Sequence, residues 1–271
     1  MSSVVAPSSV QPLMFGPAEA RLYGCYHAPT DGAAPACAVL LCPPIGYEFI
    51  RCHKAMRILA SRLSAAGCAV LRFDYLGCGD SAGEIEDASI PAWLASIRLA
   101  AMELRKLSQS APLAVVGLRL GATLAAMSTS QGLIKPRQLV LWSPVASGEA
   151  FLSRMREEHD RHVARVNREF GAVPANANEE LLGYRWPGEL IAEVEKLELR
   201  SFCAGATFPR TLLIDNEPQE TLHSIARDLG GATVDAVSTS ESAAWDVEPH
   251  LAVLPHESIA RIVQWLSGGE R

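Results

Sequence analysis

The sequence predicts an α/β protein built on a doubly wound, mostly parallel sheet with a helical lid insertion. Three observations carry that prediction. Short apolar runs recur along the 271 residues, amphipathic helical segments alternate with them, and the stretch 149–206 is far longer than an ordinary connection between strands.

Taken in order, the chain opens with MSSVVAPSSVQP, which predicts a flexible N-terminal tail over residues 1–16 ahead of a single domain over 17–271. That opening has neither a basic n-region nor a long apolar run, so no signal peptide is expected. Leu22 to His27, an alternation broken by glycine, reads as an antiparallel edge strand. Cys37 to Cys42 (CAVLLC), Cys68 to Phe73 (CAVLRF), Leu113 to Gly117 (LAVVG), Gln138 to Trp142 (QLVLW), Thr211 to Ile214 (TLLI) and Thr233 to Ser238 (TVDAVS) follow. Most are near-continuous apolar runs, the mark of parallel strands covered on both faces. Helices are expected over Lys54–Ala66, Pro91–Leu107, from about Ala122, over Pro218–Leu229 and over Pro255–Leu266, each with apolar residues at helical spacing or a helix-starting proline. Within 149–206, Phe151 to Val166 is a charged helix, and GYRWPGELIAEVEKL is a turn followed by a second one. A lid over the strand ends is the expected role.

Composition narrows the function class. With 24 Lys+Arg against 30 Asp+Glu, the net charge of −6 offers no footprint for nucleic acid or an anionic membrane. The apolar stretches are too short for a membrane span. Seven cysteines, odd in number and without C-x-x-C spacing, read as reduced thiols of a cytoplasmic protein. No cofactor or metal is expected: His159 and His162 lack a third ligand, and Gly77, Gly79 and Gly83 lack the dinucleotide register. Cys68 and Cys203 read as small core residues, and the charges from Arg154 to Arg168 as a solvated helix face.

The informative stretch is Val115 to Ala122, VVGLRLGA. A buried strand runs into Gly117-Leu118-Arg119-Leu120-Gly121 and then into a helix, which is the context of the G-x-S-x-G nucleophile elbow. Arg72 to Gly83 (RFDYLGCGDSAG) looks like a D-x-x-G-x-G-x-S turn, and Cys42 to Gly46 (CPPIG) ends the preceding strand. With the three in this order, residues 17–271 resemble the α/β-hydrolase superfamily, and are similar to its serine-aminopeptidase-like members. GLRLGA, the PPxGxE stretch at Pro43–Glu48 and the LVLW-x-P stretch at Leu139–Pro144 resemble a subgroup that includes the exosortase-associated hydrolases. The resemblance implies a hydrolase or acyltransferase acting on an acyl ester or thioester. Its partner would be a small-molecule acyl substrate, free or carried by a protein.

Arg119 departs from that pattern. A guanidinium stays protonated and has no lone pair for attack, so it cannot accept an acyl group. At a helix N-terminus it makes either an anion clamp or a buried cation that needs an internal carboxylate. Glu48, Asp215 and Asp246 are the candidates for that partner. Asp215, after TLLI, falls where the superfamily has its acid, and His250, in WDVEPH before the last helix, where it has its histidine. His256 reads as a surface or capping residue. Oxyanion or anion donors would be the N–H groups of Leu120, Ile45 and Gly46, since Pro43 and Pro44 have none. Ser143 and Cys42 are alternative nucleophiles near the strand ends, with Cys78 a further one. Two other readings stand beside a hydrolase: a pseudo-hydrolase that binds an anionic acyl ligand or a partner protein, and a non-covalent lyase or cyclase with a histidine base.

Overall fold

The computed structural model describes residues 10–30, 32–170, 180–230, 234–241, 245 and 254–268. In chain order the strands of the main sheet are β1 (Val10–Phe15), β2 (Leu22–His27), β3 (Cys37–Cys42), β4 (Cys68–Phe73), β5 (Leu113–Leu118), β6 (Gln138–Trp142), β9 (Arg210–Asp215) and β10 (Val234–Ser238). They lie in the order β1-β2-β4-β3-β5-β6-β9-β10. β2 is antiparallel to both of its neighbours, and from β4 to β10 every pairing is parallel.

Helices cover both faces of the sheet. α1 (Tyr47–Ala65) and α8 (His256–Ser267) pack on one side, with Leu59, Leu63, Ile259 and Ile262 meeting Val39, Val70 and Val116. On the other side α2 (Ile90–Leu107), α3 (Leu120–Ser130) and α7 (Gln219–Asp228) bury Trp93, Ile97, Leu124 and Leu222 against Leu40, Leu71 and Val115. Two-sided cover explains why these strands read as unbroken apolar runs. Local signals set the helix ends: α2 begins at Ser89, whose Oγ accepts the Ala92 N–H at 3.2 Å, with Pro91 in the first turn.

Between β6 and β9 lie α4 (Gly148–Phe170), the short hairpin β7 (Glu180–Leu181) and β8 (Tyr184–Arg185), α5 (Gly188–Glu195) and α6 (Leu199–Cys203). This is the segment expected as an insertion, and both of its expected helices are present.

Two expectations need correcting. Residues 10–15 of the expected tail form β1, paired along its length with β2, so β2 is not at the edge. Only Phe15 of β1 is buried and Pro12 interrupts it, which suits an outermost strand but leaves little apolar pattern to read. α1 also starts seven residues earlier than Lys54, because its first turn buries a glutamate rather than an apolar residue.

Candidate functional site

The chain passes from β3 to β4 on one side and then returns to place β5 on the other side of β3. Open α/β sheets bind ligands at such a reversal, beyond the carboxyl ends of the strands. Here those ends carry Cys42 and the loop Pro43–Gly46 after β3, Arg119 after β5, Ser143 after β6 and Asp215 at the end of β9.

Arg119 forms the turn between β5 and α3 with φ 55° and ψ −126°. A non-glycine residue is seldom held there. Its neighbours explain the tightness. A Cβ on Gly117 would lie 2.4 Å from Ala122 Cα, and one on Gly121 would lie 2.2 Å from the Pro43 carbonyl oxygen. Strand, helix and the β3 loop therefore close around one apex, the backbone form of a nucleophile elbow. Leu120 opens α3, so its N–H is among the first-turn amides that have no partner within the helix.

Arg119 is buried, 9% exposed, and its side chain makes three contacts. Its Nε donates to Glu48 Oε1 at 3.0 Å, its Nη1 donates to the Ser143 carbonyl at 3.2 Å, and its guanidinium carbon lies 5.2 Å from the centre of the Trp245 ring. Of the two expected carboxylate partners among the described residues, Glu48 and Asp215, it is Glu48 that pairs with Arg119. Glu48 Oε1 also accepts from Arg154 Nη2 of α4 at 3.3 Å, and no described residue bonds Glu48 Oε2. Nearby, Arg51 pairs with Glu158 at 2.8 Å and donates to the Trp245 carbonyl, while stacking over Tyr47.

Ser143, buried and with φ 46°, donates its Oγ to Asp215 Oδ1 at 2.8 Å, and the Asn216 N–H reaches the same oxygen at 2.7 Å. Asp215 thus holds a serine instead of an arginine. Burial pushes its carboxyl above the usual range, opposed by these hydrogen bonds and by the Arg119 charge. A carboxyl raised in the fold contributes stability below its unfolded pKa, about 3.9, and loses it as pH rises through the folded value. Asp215→Asn keeps the acceptor and removes the titration. Relative to wild type it is expected to fare better near pH 7 than near pH 3 in urea unfolding, and a pH-independent difference would refute the assignment.

Cys42 is fully enclosed, and burial drives its thiol well above the ordinary range, so thiolate chemistry is disfavoured there. All seven cysteines are free. His256 is the exposed first residue of α8, whose opening amides at Glu257 and Ser258 are held by Glu241. His250 and Asp246 lie outside the described residues. Among those described, no group of three metal-ligating side chains converges and no helix is long and apolar enough to cross a membrane.

Beside the turn is a cavity of about 250 Å³ whose walls include Pro43, Ile45, Gly46, Tyr75, Trp186 and Leu190. Ile45 and Gly46, the expected donors of the β3 loop, thus face open space, and Arg119 is not part of the lining. Trp186 is buried, its Nε1 meets no described acceptor, and it stacks edge-on to Phe151 with ring centres 6.3 Å apart. Sequence reasoning missed Arg154, Trp186 and Trp245. The first two come from the inserted segment, and no local pattern points a side chain across so long a separation.

No protein-family model and no curated protein matches the sequence. Solved structures do match. Est1E from Butyrivibrio proteoclasticus with ferulic acid bound aligns at TM-score 0.66 and 15% identity, over 93% of this chain and 98% of that one. The Pyrococcus furiosus esterase Pf2001 gives TM-score 0.66 and 14% identity over 96% and 90%. Proline iminopeptidase from Mycobacterium smegmatis gives 0.63 and 15% over 94% and 97%. The chain has the α/β-hydrolase fold, and esterases are among its structural neighbours.

Proposed function

We propose that this protein is an acyl-ligand-binding member of the α/β-hydrolase fold in which covalent acyl transfer at the elbow has been given up. The observation that carries the reading is the buried pairing of Arg119 with Glu48. It fills the apex with a cation that cannot attack and whose charge is already neutralised, so it does not wait for an anionic ligand. The apolar cavity beside it, with the Ile45 and Gly46 backbone and the Trp186 N–H close by, suits an acyl or aromatic acid whose oxygen takes those donors. The segment 149–206 would act as a lid over it, within one domain. In this reading the chain is akin to the serine-aminopeptidase-like and exosortase-associated hydrolases, which the GLRLGA and PPxGxE stretches support.

Two measurements test this. The wild-type protein is expected to resist fluorophosphonate labelling, and ferulic acid is expected to raise its melting temperature. The reading fails if the protein is labelled at a serine or turns over aryl esters through an acyl-enzyme.

A second reading, hydrolysis of an ester or thioester by water without a covalent step, draws on Asp215 at the carboxyl end of β9. There it would orient His250 as general base, and Leu120, Ile45 and Gly46 would stabilise the oxyanion. Under it, His250→Ala abolishes turnover with folding intact. Detectable turnover that His250→Ala leaves unchanged would end it.

A further inference from the structure

The charges of α4 form the solvated face that the sequence predicts, with Arg161, Arg165 and Arg168 all exposed, but the arginines are gathered on one side of it. Arg154, Arg161, Arg165 and Arg168 stand at i, i+7, i+11 and i+14, within an arc of roughly 60° on a helix of 100° per residue. With Tyr47 and Arg51 of α1, that arc lines an open groove of about 660 Å³. Its described lining contains five arginines, Arg51 with those four, against one acid, Glu158. In a chain of net charge −6, so local an excess of cations is a property of the groove and not of the whole molecule.

Several of these exposed side chains are held by local hydrogen bonds. The Arg51–Glu158 pair anchors its wall. Arg161 and Arg168 each donate Nε to a carbonyl of their own helix, at Glu157 and Ala164, and neither is in an ion pair among the described residues. Arg165 lies 3.2 Å from His162 Nδ1. Arg161, Arg165 and Arg168 succeed one another along about 10 Å of helix axis on one side of α4.

We propose that this groove binds the phosphoryl end of a small molecule, a diphosphate or phosphate ester held by the guanidinium forks of Arg161, Arg165 and Arg168. Planar forks match phosphate oxygens two at a time. A membrane surface fits less well, since among the described side chains none of the large exposed apolar ones lies on α4 to enter a lipid interface. The assignment stands on the groove alone and is independent of the acyl-binding reading.

Inorganic pyrophosphate is the probe, titrated calorimetrically into the full chain at low and physiological salt. Wild type is expected to bind, more weakly as salt rises. Arg161→Glu with Arg168→Glu should cost about tenfold or more, whereas Arg98→Glu, exposed on α2, should change affinity by less than about twofold. If the double variant loses its circular dichroism signature, Arg168→Gln alone should weaken binding by about threefold with its fold intact. No binding by wild type overturns the proposal, as does an equal loss in Arg98→Glu. So does capture by phosphatidylglycerol vesicles that excess pyrophosphate leaves undisturbed. The ferulic acid response of the double variant stays as in wild type, which separates the two sites.

Discussion

Glu48→Ala is expected to lower the unfolding free energy by about 3–5 kcal/mol, because it strands a buried charge. Glu48 is 5% exposed, and its Oε1 lies between the guanidinium groups of Arg119 and Arg154. Without it, the buried Arg119 loses its counter-charge while the partly exposed Arg154 remains nearby, and Arg119 cannot turn away because its Nη1 and ring contacts pin it. For a domain of this size, roughly 2–4 °C of melting temperature goes with each kcal/mol, so a fall of about 10 °C is expected. Replacing both partners, Arg119→Met with Glu48→Met, should recover most of the loss, since apolar substitutes for a buried pair are often neutral or better. Formate should partly rescue Glu48→Ala and leave wild type unchanged, by supplying the missing carboxylate. A Glu48→Ala protein within about 1 kcal/mol of wild type would show that Arg119 is solvated and not paired, and the functional reading would lose its support.

The same pair marks the limit of what could be read from residues alone. The strands were legible because covered parallel strands must be apolar throughout: CAVLLC and CAVLRF match β3 and β4 residue for residue. VQPLMF was not, since an outermost strand with one buried residue carries almost no pattern. In the site, the tight turn was visible in the spacing of Gly117 and Gly121, and the chemical exclusion followed from the side chain at its apex. Which carboxylate met Arg119 could not be read, because Glu48, Asp215 and Asp246 are all acids and sequence pattern does not rank them. Arg154 bonds Glu48 across 106 residues of chain, and Trp245 meets Arg119 from another element again. Such contacts are set by how layers stack, which local periodicity does not encode.

Gly121→Ala is expected to be the most damaging single-methyl change in the protein's candidate site. Its Cβ would fall 2.2 Å from the Pro43 carbonyl oxygen and 2.5 Å from that of Cys42, both backbone atoms that no rotamer change can move. The start of α3 would have to back away from the end of β3, at a cost of about 3 kcal/mol or more, the upper end of ordinary overpacking. Gly132→Ala provides the contrast. Gly132 has φ +70° and nothing within 4 Å of an added Cβ, so only left-handed strain is at stake, about 1–2 kcal/mol. Gly121 has no such backbone demand, since its φ is not positive, and so its need for glycine is purely one of close approach. Equal losses for the two variants in urea unfolding would refute that distinction. The binding consequence follows from the same contact. Gly121 holds the Leu120 N–H beside the loop that carries Ile45 and Gly46, so forcing the two apart should weaken the ferulic acid response along with the fold. The glycine is therefore required by the approach of two backbones, whatever side chain occupies the apex of the turn.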